Sequence, residues 1–178
     1  MTFRIEPLAP EDWARWRQVR VRALGEDPDA FACSAHVLGA QAPEQQWREA
    51  ISTRRVLLAV DEHGRDVAMV GIVGDPDPEL ISMWVAPEAR RSGLGRRLVD
   101  AVVGEAGDRD VTLRVMAQNT AAIAFYRGCG FELETRTPDA EGTLRMRRVA
   151  PSATTTWPAP AERPRRSGGP PPGRSADQ

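Results

Sequence analysis

The opening run Phe3–Leu8, FRIEPL, alternates apolar and polar residues and so predicts a half-buried strand. The period then lengthens. Pro10 with Glu11 and Asp12, followed by Trp13 and Trp16 one turn apart, predicts a helix that ends near GEDPD. PEQQWREAI opens a second, shorter helix in the same way, and the aperiodic PDAFACSAHVLGAQA between them reads as a loop. RVLLAV and VAMVGIVG flank DEHGRD, whose His63–Gly64 pair marks a hairpin turn. DPDP gives the next turn, and ELISMWV a third strand. Leu94, Leu98, Ala101 and Val102, spaced by threes and fours, share one face of a following helix. DVTLRVMA returns to a strand, NTAAIAFYRGCG to a short helix closed by glycine, and FELETR with TLRMRRV to a final pair of strands. The alternation predicts one mixed α/β sheet flanked by helices.

Composition narrows the picture. A chain of 178 residues with 41% hydrophobic content suits one domain with its own core. The formal charge of −1 carries no basic excess of the kind that marks nucleic-acid binders or membrane-surface proteins. No lysine occurs, so every basic residue is arginine. From Ala150 the composition shifts: the last stretch holds seven of the fifteen prolines and one large apolar residue, Trp157. Such a segment cannot bury enough to offset its ordering entropy, so the domain is expected over residues 1–149 and a disordered tail over 150–178. Neither a signal-peptide pattern nor the roughly 18 apolar residues of a membrane span is visible, and Cys33 and Cys129 lack metal or disulfide-framework spacing. These features favour a cytoplasmic protein without a metal. His36, in the loop, and His63, in the turn, are poor candidates for catalysis.

Chemistry concentrates at VAPEARRSGLGRRLVDAV, residues 85–102. A strand that runs into a glycine-bearing loop and then a helix exposes backbone N–H groups where the macrodipole favours an anion. Gly93 and Gly95 would admit phosphate oxygens to that backbone, and Arg90, Arg91, Arg96 and Arg97 add charge. The spacing matches neither a Walker loop nor the dinucleotide fingerprint. On spacing alone a pyrophosphate site and an ordinary capped helix remain open.

The same stretch resembles the acyl-CoA motif of the GCN5-related N-acetyltransferase (GNAT) family, [RQ]-x-x-G-x-[GA] after a strand ending V-x-P. Arg90, Gly93 and Gly95 hold the defining positions, after Val85 and Pro87. NTAAIAFYRGCGFE is similar to a second family pattern, matched by Asn119, Ala122, Phe125, Tyr126, Gly130 and Phe131. The resemblance implies a mostly antiparallel sheet, splayed at a bulge between two central parallel strands, with acetyl-CoA in the resulting V. Main-chain groups of Met83, Trp84 and Val85 would pair with the pantetheine arm as an added strand would. The pyrophosphate would rest on the N–H groups of Arg91, Ser92, Gly93, Leu94, Gly95 and Arg96. Asn119 and Ala122 would close the far side. The implied activity is acetyl transfer to a primary amine of a small molecule or peptide, in a ternary complex. The alternatives are a protein-amine acetyltransferase and a CoA-binding module without turnover. Dimers are common in the family, which leaves room for a homodimer.

Tyr126, the only tyrosine, stands where the family places the group that protonates the departing thiolate. A phenol of ordinary pKa about 10 stays protonated at neutral pH and can donate to a thiolate whose thiol has a pKa of about 8.5. Deprotonating the acceptor ammonium needs a base. Glu79 is the first candidate, with a solvated strand-end carboxylate as the competing reading. Family members that acetylate ribosomal-protein N-termini carry a glutamate in an L-E-V pattern on the next strand, where this chain has Arg114 in LRV. An arginine there would suit an acceptor bearing a carboxylate or phosphate. Trp16, Arg20, Phe31 and Trp47 are candidate lining groups for the acceptor, although Trp13 and Trp16 at helical spacing also read as core.

Overall fold

The computed structural model describes residues 2–31, 38–39 and 41–151. One seven-stranded sheet runs in the order β1-β2-β3-β4-β5-β7-β6. The strands are β1 Phe3–Pro7, β2 Arg55–Asp61, β3 Asp66–Val73, β4 Glu79–Val85, β5 Val111–Met116, β6 Glu132–Leu133 and β7 Thr143–Arg148. The helices are α1 Trp13–Glu26, α2 Glu44–Ser52, α3 Leu94–Ala106 and α4 Thr120–Gly128. All neighbouring strands are antiparallel except β4 and β5. The predicted mixed sheet is present, with each helix where the 3.6-residue period puts it.

Continuous burial marks the centre. Residues 67–71 of β3 are all buried, so both faces of that strand are covered, and α1 and α3 both pack on it. On α3, Leu94, Leu98, Val99, Val102 and Ala106 point inward, the stripe a two-turn repeat demands. On α1 the inward set is Trp16, Val19, Arg20 and Ala23. An arginine thus occupies a core position. The expected strand at FELETR shrinks to Glu132–Leu133, because the Thr135 hydroxyl bonds the Thr137 carbonyl and the chain turns out of the ladder before Pro138. Cys33 and His36, and the tail beyond residue 151, lie outside the described residues.

Two irregularities in β4 break the regularity of the sheet at its centre. Its pairing with β5 is confined to Glu79–Thr112 and Leu80–Leu113, after which the parallel strands part. Its register against β3 also slips: Ile81 faces Gly71 and Trp84 faces Met69, so Ser82 and Met83 share Val70 as their counterpart. That is a β-bulge, which bends and twists a strand. Ser82 in the bulge has φ 55°, in the left-handed region.

Candidate functional site

The parting of β4 and β5 leaves a cleft of about 770 Å³, floored by Glu79, Leu80 and Ile81 and walled by Met83, Val85, Val115, Met116, Ala122 and Tyr126. From Ile81 to Val85, β4 has no strand paired with it on the β5 side, so its backbone forms an edge inside the molecule. Such an edge binds an extended chain bearing amides.

At its upper end the cleft meets the loop between β4 and α3. Arg91 at φ 59° and Gly93 at φ 83° both adopt left-handed conformations around Ser92. Left-handed residues in a turn before a helix are the setting in which successive N–H groups form an anion nest. Gly93 is the N-cap of α3, and an added Cβ there would meet nothing within 4 Å; its requirement is conformational. Gly95 has the other kind of requirement. A Cβ there would stand 3.2 Å from the Phe125 ring, so its absence lets Phe125 of α4 close over the start of α3. The first turn of α3 leaves N–H groups without helical partners, at the positive end of its dipole.

The arginines divide sharply. Arg90, the defining residue of the motif, lines the cleft but engages its guanidinium within the fold: Nε donates to the Val85 carbonyl at 2.9 Å and Nη2 to Asp27 Oδ2. The same Asp27 oxygen accepts from the indole of Trp84 at 2.9 Å. Arg90 therefore anchors the loop to the end of α1. Arg96 donates to the Gly128 carbonyl at the end of α4, and Arg97 to the Phe3 carbonyl at 3.0 Å. Arg91 is exposed at the cleft, with no side-chain partner among the described residues. Ser92 serves the loop, donating to the Ala89 carbonyl at 2.6 Å, and Leu94 is buried in the core.

On the far wall, Asn119 lines the cleft and caps α4, its Oδ1 accepting from Ala122 N–H at 3.0 Å. Tyr126 is 8% exposed, edge-on to Phe125 at 5.2 Å and to Phe131 at 5.8 Å. These contacts fix the ring against the cleft wall.

At the lower end, Glu79 Oε1 accepts from Arg114 Nε at 3.1 Å, and Glu141 lies 3.8 Å from the same guanidinium. Glu79 and Arg114 are thus brought together at the point where β4 and β5 separate. Phe31 also lines the cleft. Trp47 does not: it is fully buried, edge-on to Trp16 at 5.1 Å, with its indole bonded to the Ala42 carbonyl. An indole on the inner stripe of α2 belongs to the core. Trp16 and Arg20 are likewise buried behind the cleft wall, and burial together with the nearby Arg54 pushes Arg20 down to about 10. Asp27 and Ser82 also border the cleft, and the sequence pattern assigns neither of them to it. Asp27 sits in a run that reads as a helix stop, and nothing local in the sequence announces a bulge at Ser82. Among the described residues, no group of three or more His, Cys, Asp or Glu could hold a metal ion.

A bulged β4 with an open inner edge, leading into a glycine loop at a helix start, has the shape and donors that suit a long amide-bearing chain ending in an anionic group. Residues 15–131 match the sequence model of the acetyltransferase (GNAT) family, and the chain belongs to that family. It is 31% identical over 143 residues to a mycothiol acetyltransferase of Kocuria rhizophila, covering 72% of this chain and 46% of that one. It is 36% identical over 81 residues to a [ribosomal protein bS18]-alanine N-acetyltransferase of Salmonella typhimurium, covering 44% and 54%. The chain spans about half the length of the curated relatives it matches. Among solved structures, a GNAT-family acetyltransferase from Streptococcus pneumoniae superposes with a TM-score of 0.66 at 18% identity, covering 84% of this chain and all of that one. A phosphinothricin acetyltransferase from Sinorhizobium meliloti, in complex with AcCoA, gives 0.63 at 19%, covering 90% and 95%. These two show the shared fold.

Proposed function

We propose that the protein transfers an acetyl group from acetyl-CoA to a primary amine, by direct attack while both are bound. The observation that carries this reading is the open inner edge of β4 leading into the nest at Arg91–Gly93. Main-chain groups of Met83, Trp84 and Val85 would hold the pantetheine arm, with the Val85 carbonyl shared with Arg90. N–H groups of residues 91–96 would bind the pyrophosphate, and the Arg91 guanidinium would neutralise part of its charge. The Asn119 amide and Ala122 would close the opposite side. Arg90 acts through structure, by holding the loop in place.

In the chemical step, Glu79 would accept the ammonium proton through water, and the freed amine attacks the thioester carbon. Tyr126 would donate to the thiolate as the C–S bond breaks. Phe125 and Phe131 orient its ring for that donation. The ion pair with Arg114 changes the expectation for the acceptor. Glu79, which lines the cleft, and Glu141 beside the same guanidinium already meet the charge of Arg114. That balance suits a protonated amine better than an acceptor bearing a carboxylate or phosphate.

The mycothiol and ribosomal-protein relatives support an amine acceptor of small-molecule or peptide type. The test is release of free CoA thiol from acetyl-CoA across a panel of amines: peptide N-termini, amino sugars, polyamines and amino acids. Turnover with cationic amines is expected. Acetyl-CoA binding with no thiol release for any amine would instead support a binding module, a reading that the engagement of Glu79 by Arg114 favours.

A further inference from the structure

The bulge that opens the cleft has a support that no contact with acetyl-CoA requires. Ser82 holds φ 55°, a region that residues with a Cβ rarely occupy, and it lines the cleft where β4 leaves β5. Its Oγ accepts from Arg20 Nη1 at 2.9 Å. Arg20 comes from the inward stripe of α1 and is 1% exposed. One face of its guanidinium lies on the Phe31 ring, 5.2 Å from the centroid.

The surroundings make this arginine costly. Among the described side chains no carboxylate pairs with it, and the charge it feels is a second cation, Arg54. Arg54 stacks over the Trp16 ring at 5.7 Å, and both Arg54 Nε and Trp16 Nε1 are buried with no hydrogen-bond partner among the described residues. A buried cation without an anion opposes folding, and an apolar side chain of similar length would fill the same space at lower cost. The hydrogen bond that Arg20 does make is to the residue that forms the bulge. Backbone strain at a site persists where surrounding structure over-determines it, and here one buried guanidinium on a packed helix supplies that constraint.

We propose that Arg20 is a positioning residue: from inside the α1 layer it holds Ser82 in its left-handed conformation and so keeps the β4 bulge, and the acyl end of the cleft, open. The inference rests on acetyl-CoA being the ligand of the cleft. It adds a role for α1 that neither the loop motif nor the α4 motif contains.

Glycine makes the proposal testable, because it adopts a positive φ without support. Arg20→Met, Ser82→Gly and the double variant are compared with the unsubstituted chain by calorimetric titration with acetyl-CoA, by thiol release and by thermal unfolding. Arg20→Met is expected to bind acetyl-CoA about tenfold more weakly, with a melting temperature no lower than that of the unsubstituted chain. Adding Ser82→Gly should return affinity and turnover to within about threefold of the starting protein. A merely structural arginine would give the opposite pair of results: a lower melting temperature and no rescue by glycine. Affinity within about twofold after Arg20→Met, or a double variant no better than the single one, overturns the proposal. If Arg20→Met does not fold, Ser82→Ala and Ser82→Gly decide: the alanine variant should bind acetyl-CoA weakly and the glycine variant normally, and equal affinities overturn the proposal. Absence of acetyl-CoA binding by the unsubstituted chain would instead refute the functional reading itself.

Discussion

At the scale of single residues, the proposed reaction assigns some groups of the cleft to the reacting atoms and others to holding the chain. Tyr126→Phe keeps the ring contacts with Phe125 and Phe131 and removes only the hydroxyl. It should lower kcat by about 10²-fold while leaving acetyl-CoA affinity unchanged, as steady-state kinetics and titration would report. Glu79→Gln should also lower kcat by about 10²-fold with acetyl-CoA affinity unchanged, as the same kinetics and titration would report. Arg91→Ala should raise KM for acetyl-CoA about tenfold with kcat held, and the effect should shrink as salt is added. Tyr126, Gly93 and Asn119 are legible in the sequence because motif spacing encodes them. The division of labour among the arginines is not. Arg90 carries the motif position yet pairs with Asp27, 63 residues away, and only the fold brings those two together. Arg20 reads in the sequence as a candidate for the acceptor lining, whereas the fold buries it behind the cleft, bonded to Ser82, 62 residues away.

At the scale of elements, the loop before α3 depends on α1. Asp27 accepts from both Arg90 and the buried Trp84 indole, so one carboxylate joins the end of α1, the end of β4 and the nest. Asp27→Ala should cost about 1–2 kcal/mol of stability, read by urea unfolding, and should weaken acetyl-CoA binding by releasing Arg90 and the loop before α3. Strand and helix identities are readable from period together with proline, glycine and turn signals, and β4 falls at the expected residues. The bulge is not readable from period, because ELISMWV contains no glycine or proline to mark an irregularity, and only the family resemblance implies it. Residue type alone points Trp47 toward the acceptor site, whereas its place on the inner stripe of α2 sends it to the core. FELETR has the alternation of a full strand. Competition from the local hydroxyl bond at Thr135 shortens it.

At the scale of the whole molecule, several carboxylates hold distant parts together and set an acid limit. Glu6 lies below its ordinary value near 4.5, chiefly through its bond from Arg15, which also reaches Asp66 of β3. Asp110 lies below its ordinary 3.8, through Ala150 N–H first and Arg147 second, and so ties the chain after β7 to the start of β5. A carboxylate with a lowered folded-state value contributes stability at neutral pH and loses it as pH falls through that value. Stability should therefore be flat down to about pH 4.5 and decline below it, as unfolding curves collected at a series of pH values would show. Glu6→Gln should flatten the upper part of that decline.

The brief contact between β4 and β5 has a mechanical consequence as well. Main-chain bonding across the middle of the sheet rests on Glu79–Thr112 and Leu80–Leu113, so β1–β4 and β5–β7–β6 meet along a seam that is fastened at one end. A ligand lying between the two lips, bonded to β4 on one side and to the α4 wall on the other, would act as a staple across that seam. Emptying the cleft would then cost the molecule cohesion between its halves, and the donor substrate would double as a missing strand of the fold.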